Sequence, residues 1–182
     1  MIADAGTKLT CRDILALPED GLRHELIDGE HYVTPSPVPR HQLIVGNLYF
    51  LLRSHLEVQP DGDVYLAPVD VVLSVHDLVV PDLMLFTPSR RQQVRARNVH
   101  GAPDLVIEVL SPSTARRDRT LKRALYQRAG VREYWLVDPK AETVTVWHGT
   151  RQERQYSADG DDRLVSPLLP DLRITLADVF RA

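Results

Sequence analysis

The amino-acid sequence predicts an α/β or α+β domain with a mixed central sheet flanked by helices. Residues 41–58 place apolar side chains at the spacing of one helix face, whereas residues 64–86 form apolar runs of strand length. A second helical stretch, residues 111–130, lies between two more apolar runs, and the first of these is typical of a strand buried on both faces. Helices placed between strands predict helices packed on a sheet. The 182 residues fit a single domain, 1–182.

The first predicted elements are a short helix and a hairpin. Thr10 can cap a short helix that runs through about Leu17 and is stopped by Pro18. Residues 23–34 have the pattern of two short strands, with Asp28 and Gly29 as the two-residue turn between them. A proline-rich linker then leads to the long helix.

The long helix is predicted over residues 41–58, and the Pro-Asp-Gly sequence of residues 60–62 ends it. Residues 64–75 and 79–86 are then predicted as one strand each. The apolar face of the helix consists of Leu43, Ile44, Leu48, Leu51, Leu52 and Leu56.

In the second half, a loop or short helix is predicted over residues 90–100 and a buried strand follows it. The helix over residues 111–130 has Ser113 as a plausible N-cap and Gly130 at the C-cap position. After the next strand, residues 143–157 are predicted to form a C-terminal hairpin, and residues 174–180 a short capped helix.

Charge is distributed unevenly along the chain. The net charge is −3, but the basic segment (residues 90–128) carries ten basic and three acidic residues. Such a segment in an acidic protein can be an electrostatic footprint for nucleic-acid phosphates. The alternative is a solvated helix face rich in arginine.

Composition excludes several classes of protein. No apolar run approaches the roughly 20 residues that cross a bilayer, and residues 1–14 lack the pattern of a signal peptide, so no membrane partner is expected. Cys11 is the only cysteine, which excludes an internal disulfide and favours a reducing cytoplasm. Its expected role is that of a structural or surface thiol rather than a nucleophile. The sequence contains no glycine-rich phosphate loop, zinc spacing or serine nucleophile elbow.

Two carboxylates stand in apolar surroundings. Asp82 opens the run LMLF, and Glu108 interrupts the run LVIEVL from inside. A carboxylate in a buried strand is costly unless it is paired. If the two strands are neighbours, both acids can share Mg²⁺, with the backbone carbonyl of Val109 as a further ligand. Such a cation in turn binds a phosphodiester.

Lys122 lies on the helix after the Glu108 strand and shares a helix side with Asp118 and Tyr126. It is a candidate to help a metal-bound water attack. The alternative is an exposed Asp118–Lys122 pair of little energetic value.

The motifs ELIDGE, PSPVPRHQ, VPDLMLF, APDLVIEVLSPST and RDRTLKRALYQRAGVREYWLVDP together resemble the Uma-two family of restriction-endonuclease-like proteins, within the PD-(D/E)XK nuclease superfamily. The resemblance implies a restriction-endonuclease-like fold in which Asp82 and Glu108 match the metal-binding acids. The superfamily lysine position is Leu110 here. The resemblance implies that Lys122 takes its place from the next helix.

Other polar residues are open to two interpretations each. Glu25 matches an additional N-terminal acid of the pattern or is an exposed hairpin residue. His41 can orient water or phosphate, or it can be a helix-capping or surface histidine. Asp70 can support the acids or be a polar residue of an edge strand, and Asp104 is expected only to begin its strand.

Three functional hypotheses follow. The first is an endonuclease that hydrolyses duplex DNA through a water activated by Mg²⁺, with Mn²⁺ as a possible substitute. A homodimer is expected with it, because cutting both strands of a DNA duplex usually requires two active sites. The second is a nucleic-acid-binding module of the same fold that does not cut. The third is a structural or oligomerisation domain whose acids pair with its arginines.

Overall fold

Helices and short strands alternate along the chain, of which a computed structural model describes residues 8–59, 62–160 and 163–182. The helical elements are α1 (Cys11–Leu15), α2 (Pro39–Val58), a 3-10 turn (Arg91–Gln93), α3 (Ala115–Arg117), a π-helical turn (Asp118–Lys122), α4 (Arg123–Ala129) and α5 (Leu176–Phe180). The strands are β1 (Arg23–Ile27), β2 (Glu30–Thr34), β3 (Asp63–Leu66), β4 (Val71–Ser74), β5 (Asp77–Val79), β6 (Leu83–Phe86), β7 (Val99–His100), β8 (Leu105–Val109), β9 (Glu133–Asp138), β10 (Thr143–His148), β11 (Arg151–Ser157), β12 (Arg163–Leu164) and β13 (Ile174–Thr175).

Within the described residues, the larger strands form a six-stranded sheet of order β11-β10-β9-β8-β6-β3 and a five-stranded sheet of order β2-β1-β5-β4-β7. In the first sheet β8 and β9 are parallel and the other pairs are antiparallel. In the second, β4 and β7 are the parallel pair. The predicted mixed sheet is therefore confirmed. The single domain spanning 1–182 stays a prediction.

The central strands of the six-stranded sheet, β6, β8 and β9, are buried on both faces. Along β8, Leu105, Ile107 and Val109 belong to a hydrophobic core cluster with the α2 residues Ile44 and Leu48. A second cluster joins Val106 and Leu110 to α4. Successive strand residues face opposite sides of a sheet, so Glu108 faces the α4 side with Val106.

Helix α2 packs by the predicted 3.6-residue period. Ile44, Leu48, Leu52 and Leu56 are buried at four-residue intervals, whereas the predicted apolar position Leu43 is 39% exposed. The predicted turn residues Pro60 and Asp61 lie outside the described residues. Across the described residues, no helix has the length and apolarity needed to cross a membrane.

The prediction of one strand each over residues 64–75 and 79–86 is wrong, because each range forms two strands. The first divides into β3 and β4, and the second divides into β5 and β6, with the parts in different sheets. Both breaks contain a proline, Pro68 and Pro81, which has no backbone N–H for a sheet ladder. The chain therefore passes between the sheets, and Asp82 lies at one crossing.

The turns and helix ends largely follow the prediction. Asp28 and Gly29, at φ 52° and 79°, join β1 to β2 as expected for a two-residue hairpin turn. The predicted C-terminal hairpin is formed by β10 and β11. Thr114, not Ser113, precedes α3, and Gly130 ends α4 in the left-handed region at φ 84°. The π-helical turn is not visible in the sequence pattern.

Gly130 should tolerate alanine poorly, because an L-residue in the left-handed region costs about 1–2 kcal/mol. Gly130→Ala is expected to lower the free energy of unfolding by about that amount in urea titration. Gly46→Ala is the matched control, since Gly46 lies inside α2 with open space around its Cα. It should stabilise the protein by about 0.5–1 kcal/mol. Equal effects of the two changes would contradict this account of the helix end.

Candidate active site

Asp82 and Glu108 lie opposite each other at one end of the six-stranded sheet. Strands β6 and β8 are antiparallel neighbours, which is the condition under which the two acids were expected to meet, and Leu83 pairs with Ile107. The same register places Asp82 opposite Glu108, so their side chains share one face. Both line a cleft of about 190 Å³.

Asp82 is buried and receives three hydrogen bonds. Arg23 Nη1 donates to Oδ1 at 2.8 Å, while His41 Nε2 lies 3.0 Å from Oδ2 and the Val109 N–H donates to Oδ2 at 2.9 Å. Burial acts to raise the pKa of Asp82, but the bonds from His41, Arg23 and Val109 outweigh it and hold this pKa below its ordinary value. Asp82 is therefore ionised in the folded protein at neutral pH.

Glu108 receives two short hydrogen bonds on one oxygen. Lys122 Nζ lies 2.7 Å from Oε1, and the Tyr126 hydroxyl donates to the same atom at 2.5 Å. Burial is the largest cause that raises the pKa of Glu108 to about 8; the acids Asp118, Asp82 and Glu25 add to it, and Lys122 opposes it. A further positive charge beside Glu108 would therefore stabilise its ionised form.

Lys122 is buried among carboxylates. Its side chain is 4% exposed, and Nζ lies 2.8 Å from Glu25 Oε1 and 3.8 Å from Asp118 Oδ1. The alternative of an exposed Asp118–Lys122 pair is therefore wrong. Burial lowers the pKa of Lys122, but the charges of Glu108, Glu25 and Asp118 outweigh it and raise the pKa. Lys122 keeps its proton at neutral pH.

Glu25 connects the hairpin to the cleft. Its Oε1 accepts the Val80 N–H at 3.0 Å in addition to the bond from Lys122, and Arg117 Nη2 lies 3.7 Å from Oε2. Glu25 is 2% exposed, so the alternative of an exposed hairpin residue is wrong. The residue therefore holds Lys122 together with Glu108.

His41 lies in the first turn of α2 and is 5% exposed. The alternative of a surface histidine is therefore wrong. Its Nε2 contacts Asp82, and Nδ1 has no hydrogen-bond partner among the described residues. His41 orients Asp82 through this contact.

Four members of this network are not among the site residues predicted from the sequence. Tyr126 and Asp118 share the Lys122 helix side, and this i±4 spacing is the signal that marks them. Arg23 precedes Glu25 by two residues on β1, so alternation along a strand places both on one face. Arg117, which donates to Thr34 Oγ1 at 2.7 Å, carries no comparable signal.

The remaining candidates lie away from the cleft. Asp104 precedes β8, as predicted, and its carboxylate accepts bonds from Thr87 and Arg132. Asp70 precedes β4 rather than lying inside a strand. Cys11 is buried, and its thiol donates to the Ser74 carbonyl at 3.1 Å, which is the structural role expected.

Much of the basic segment is paired inside the protein. Arg95, Arg97 and Arg116 are exposed, and none of the described residues forms an ion pair with them. Arg116 lies between Thr114 and Asp118, which line the cleft. The members with an acidic partner are Arg90, Arg91, Arg117, Arg119, Lys122 and Arg128.

The donor set of the cleft fits a hard divalent cation. Asp82, Glu108 and the Val109 carbonyl offer oxygen only, and Mg²⁺ is commonly held by one or two carboxylates with waters and substrate phosphate. In the part of the chain that the structure describes, no three His, Cys, Asp or Glu side chains form a metal cage. A site of two carboxylates does not require one.

Comparison with known proteins identifies the family and the fold of this chain. The profile of the Uma2 family, described as "Putative restriction endonuclease", matches residues 11–177. The chain belongs to this family. A solved structure from Anabaena variabilis, described as a "putative nuclease belonging to DUF820", shares its fold with a TM-score of 0.81 and 25% identity, over 94% of this chain and 97% of that one. The restriction-endonuclease-like fold is thereby confirmed.

A curated relative gives a further match. The uncharacterized protein slr1290 of Synechocystis sp. is 28% identical over 130 residues, which cover 69% of this chain. The aligned region spans 66% of that protein, just under two thirds of its length.

Above a pH of about 8, where Glu108 is ionised, Tyr126→Phe should destabilise the protein by about 1.5–3 kcal/mol, because it removes a hydrogen bond to a buried carboxylate. Tyr134→Phe is the matched control, since its buried hydroxyl donates to the neutral Asp118 carbonyl at 3.1 Å. That loss should be closer to about 1 kcal/mol. Urea unfolding measures both, and an equal or smaller loss for Tyr126→Phe would contradict the assigned bond.

Proposed function

We propose that this protein is a divalent-metal-dependent endonuclease that hydrolyses phosphodiester bonds of DNA. The observation that supports it best is the meeting of Asp82, Glu108 and Lys122 in one cleft, from two neighbouring strands and the following helix. Membership of the Uma2 family supports the same reaction class. Mg²⁺ is the proposed cofactor, and Mn²⁺ is a chemical substitute with the same oxygen preference.

Asp82, Glu108 and the Val109 carbonyl are the proposed ligands of the cation. A bound Mg²⁺ supplies Lewis-acid stabilisation of the phosphate and lowers the pKa of a water molecule. Glu108 Oε2 takes neither of the two bonds that Oε1 accepts. It is therefore the oxygen of Glu108 that is open toward a ligand in the cleft.

Lys122 is proposed to act as a cationic donor rather than as a base. Its raised pKa keeps the proton on Nζ. Two of its three N–H groups are directed to Glu25 and Glu108, and Asp118 Oδ1, at 3.8 Å, is beyond hydrogen-bond distance. The third N–H can donate to a phosphate oxygen or to the attacking water.

The other network members position these groups. His41 and the Val109 N–H hold Asp82 Oδ2, and Glu25 holds the Lys122 ammonium. Duplex DNA is the proposed substrate. A homodimer is proposed with it, because two strands are cut most simply by two sites.

One observation favours a binding module that does not cut. Both oxygens of Asp82 already have partners, in Arg23, His41 and Val109. A cation must therefore compete with these donors for Asp82. Asp82 and Glu25 each pair with an arginine, as expected for a structural or oligomerisation domain. Binding of a divalent metal would distinguish the endonuclease and the binding module from that alternative.

Wild-type protein should nick or linearise supercoiled plasmid in Mg²⁺ or Mn²⁺ and leave it intact in EDTA. Asp82→Asn and Glu108→Gln are each expected to reduce cleavage by at least about 10²-fold, since each removes a charge from the proposed metal site. Asp63→Asn is the control, because Asp63 pairs with Phe86 at the other end of β6. Circular dichroism checks that each variant is folded.

Two results would decide against cleavage. Wild-type protein that binds DNA but leaves it uncut in both metals would favour the binding module. Cleavage by Asp82→Asn or by Glu108→Gln at the wild-type rate would exclude the substituted acid from the mechanism.

Arg116 is expected to contact a DNA phosphate. In EDTA, log affinity for a short duplex should fall with log salt, and Arg116→Ala should reduce that slope by about 0.9, because one fewer phosphate is neutralised. Arg91→Ala is the control. Arg91 pairs with Asp63 of β3, and Asp63 lies beside Phe86, at the end of β6 away from Asp82. Fluorescence anisotropy over a salt series measures the slopes. An unchanged slope in Arg116→Ala would exclude this role for Arg116.

A further inference from the structure

Arg23 separates two cavities. One is the acid cleft that holds Asp82, and the other, of about 360 Å³, lies beside residues 17–22. Arg23 and Val80 line both cavities. The Arg23 side chain is 22% exposed although its partner Asp82 is 3% exposed. It can therefore change position at a smaller cost in packing than the acid it contacts.

The second cavity contains an acid without a partner. Asp70 lines it and is half-buried, and among the described residues none hydrogen-bonds or ion-pairs with its carboxylate. Burial alone raises the pKa of Asp70. Asp20 lines the same cavity but already bonds His24 and the Leu22 N–H. Glu19 also lines the cavity but is exposed. Asp70 is thus the half-buried acid of this cavity that would gain most from a nearby guanidinium.

The bonds of Asp82 are divided in a way that suits an exchange. Arg23 is the donor to Oδ1, whereas His41 and the Val109 N–H both contact Oδ2. Departure of Arg23 would expose Oδ1 and leave Asp82 held in place by the other two groups. A divalent cation beside Asp82 would also repel the guanidinium, because like charges at that distance interact strongly in a buried site.

We propose that Arg23 alternates between two carboxylates, Asp82 when the cleft holds no cation and Asp70 when Asp82 and Glu108 bind one. Asp70 is then a positioning residue, which sets cation affinity by accepting the displaced guanidinium. The inference rests on the proposed metal site. It accounts for two observations: the Asp70 carboxylate has no partner among the described residues, and both oxygens of Asp82 have one.

The test is a double-mutant cycle read by calorimetric titration of Mn²⁺ alone. Arg23→Gln removes the charge that competes with the cation for Asp82. This variant should bind Mn²⁺ about tenfold more tightly, a change in affinity of the size expected for one charge-assisted hydrogen bond. Asp70→Asn removes the second acceptor and should bind about tenfold more weakly. The double variant should match Arg23→Gln, since Asp70 acts only through Arg23. Asp20→Asn is the matched control and should bind like the wild type.

Arg23→Lys gives a second cycle if Arg23→Gln unfolds. Lysine keeps a charge that can pair with either acid, so Asp70→Asn should still weaken Mn²⁺ binding in that background. Thermal melting confirms that each variant is folded. If Asp70→Asn weakens Mn²⁺ binding just as much in the Arg23→Gln background, Asp70 acts on the cation through its own charge and not through Arg23. That result would overturn the exchange.

The results distinguish a failure of the proposed function from a failure of this inference. Mn²⁺ binding by the wild type that Asp82→Asn abolishes supports the metal site, whatever the cycle shows. With that site present, unchanged affinity in Asp70→Asn overturns only the exchange. A wild type that binds no Mn²⁺ overturns both.

Discussion

The burial of one ammonium group determines how the parts of this protein meet. A charged group of this kind is tolerated in a protein interior only when acids surround it. Lys122 obtains Glu25 from β1, Glu108 from β8 and Asp118 from its own helical turn. These residues come from both larger sheets and from the helix between β8 and β9. Pairing one cation therefore fixes the hairpin, the central strand and the helix relative to one another.

The same corner depends on the passage of the chain between sheets. Residues 80–82 leave β5 and enter β6, and within this short segment the Val80 N–H holds Glu25 while Asp82 meets Arg23 and His41. A continuous strand would have committed the Val80 N–H to a sheet ladder. The interruption at Pro81 frees it for a side chain. The break in the strand pattern thus supplies the polar partners that the buried acids need.

The pair of acids was predictable because each breaks an apolar run, and two adjacent strands place such breaks side by side. The fold class followed from the change of hydrophobic period, and the hairpin followed from Asp28 and Gly29. Burial of Lys122 was not predictable from its helix alone, because a segment rich in arginine has the pattern of an exposed face. The hairpin that covers it is distant in sequence. The division of two strands between sheets was hidden for a related reason, since both parts are apolar.

The π-helical turn at residues 118–122 has a consequence for comparing this chain with other sequences. A π-helical turn holds one residue more than the α-helical turn it replaces, so the segments before and after it differ in phase by about 100° from an uninterrupted α-helix. Deleting one residue here would leave the helix intact while turning Lys122 away from Glu108. A gap-free alignment with a protein lacking that residue would therefore pair Lys122 with a side chain on another face. Relatives should be matched by the direction of the side chain, not by its count from Glu108.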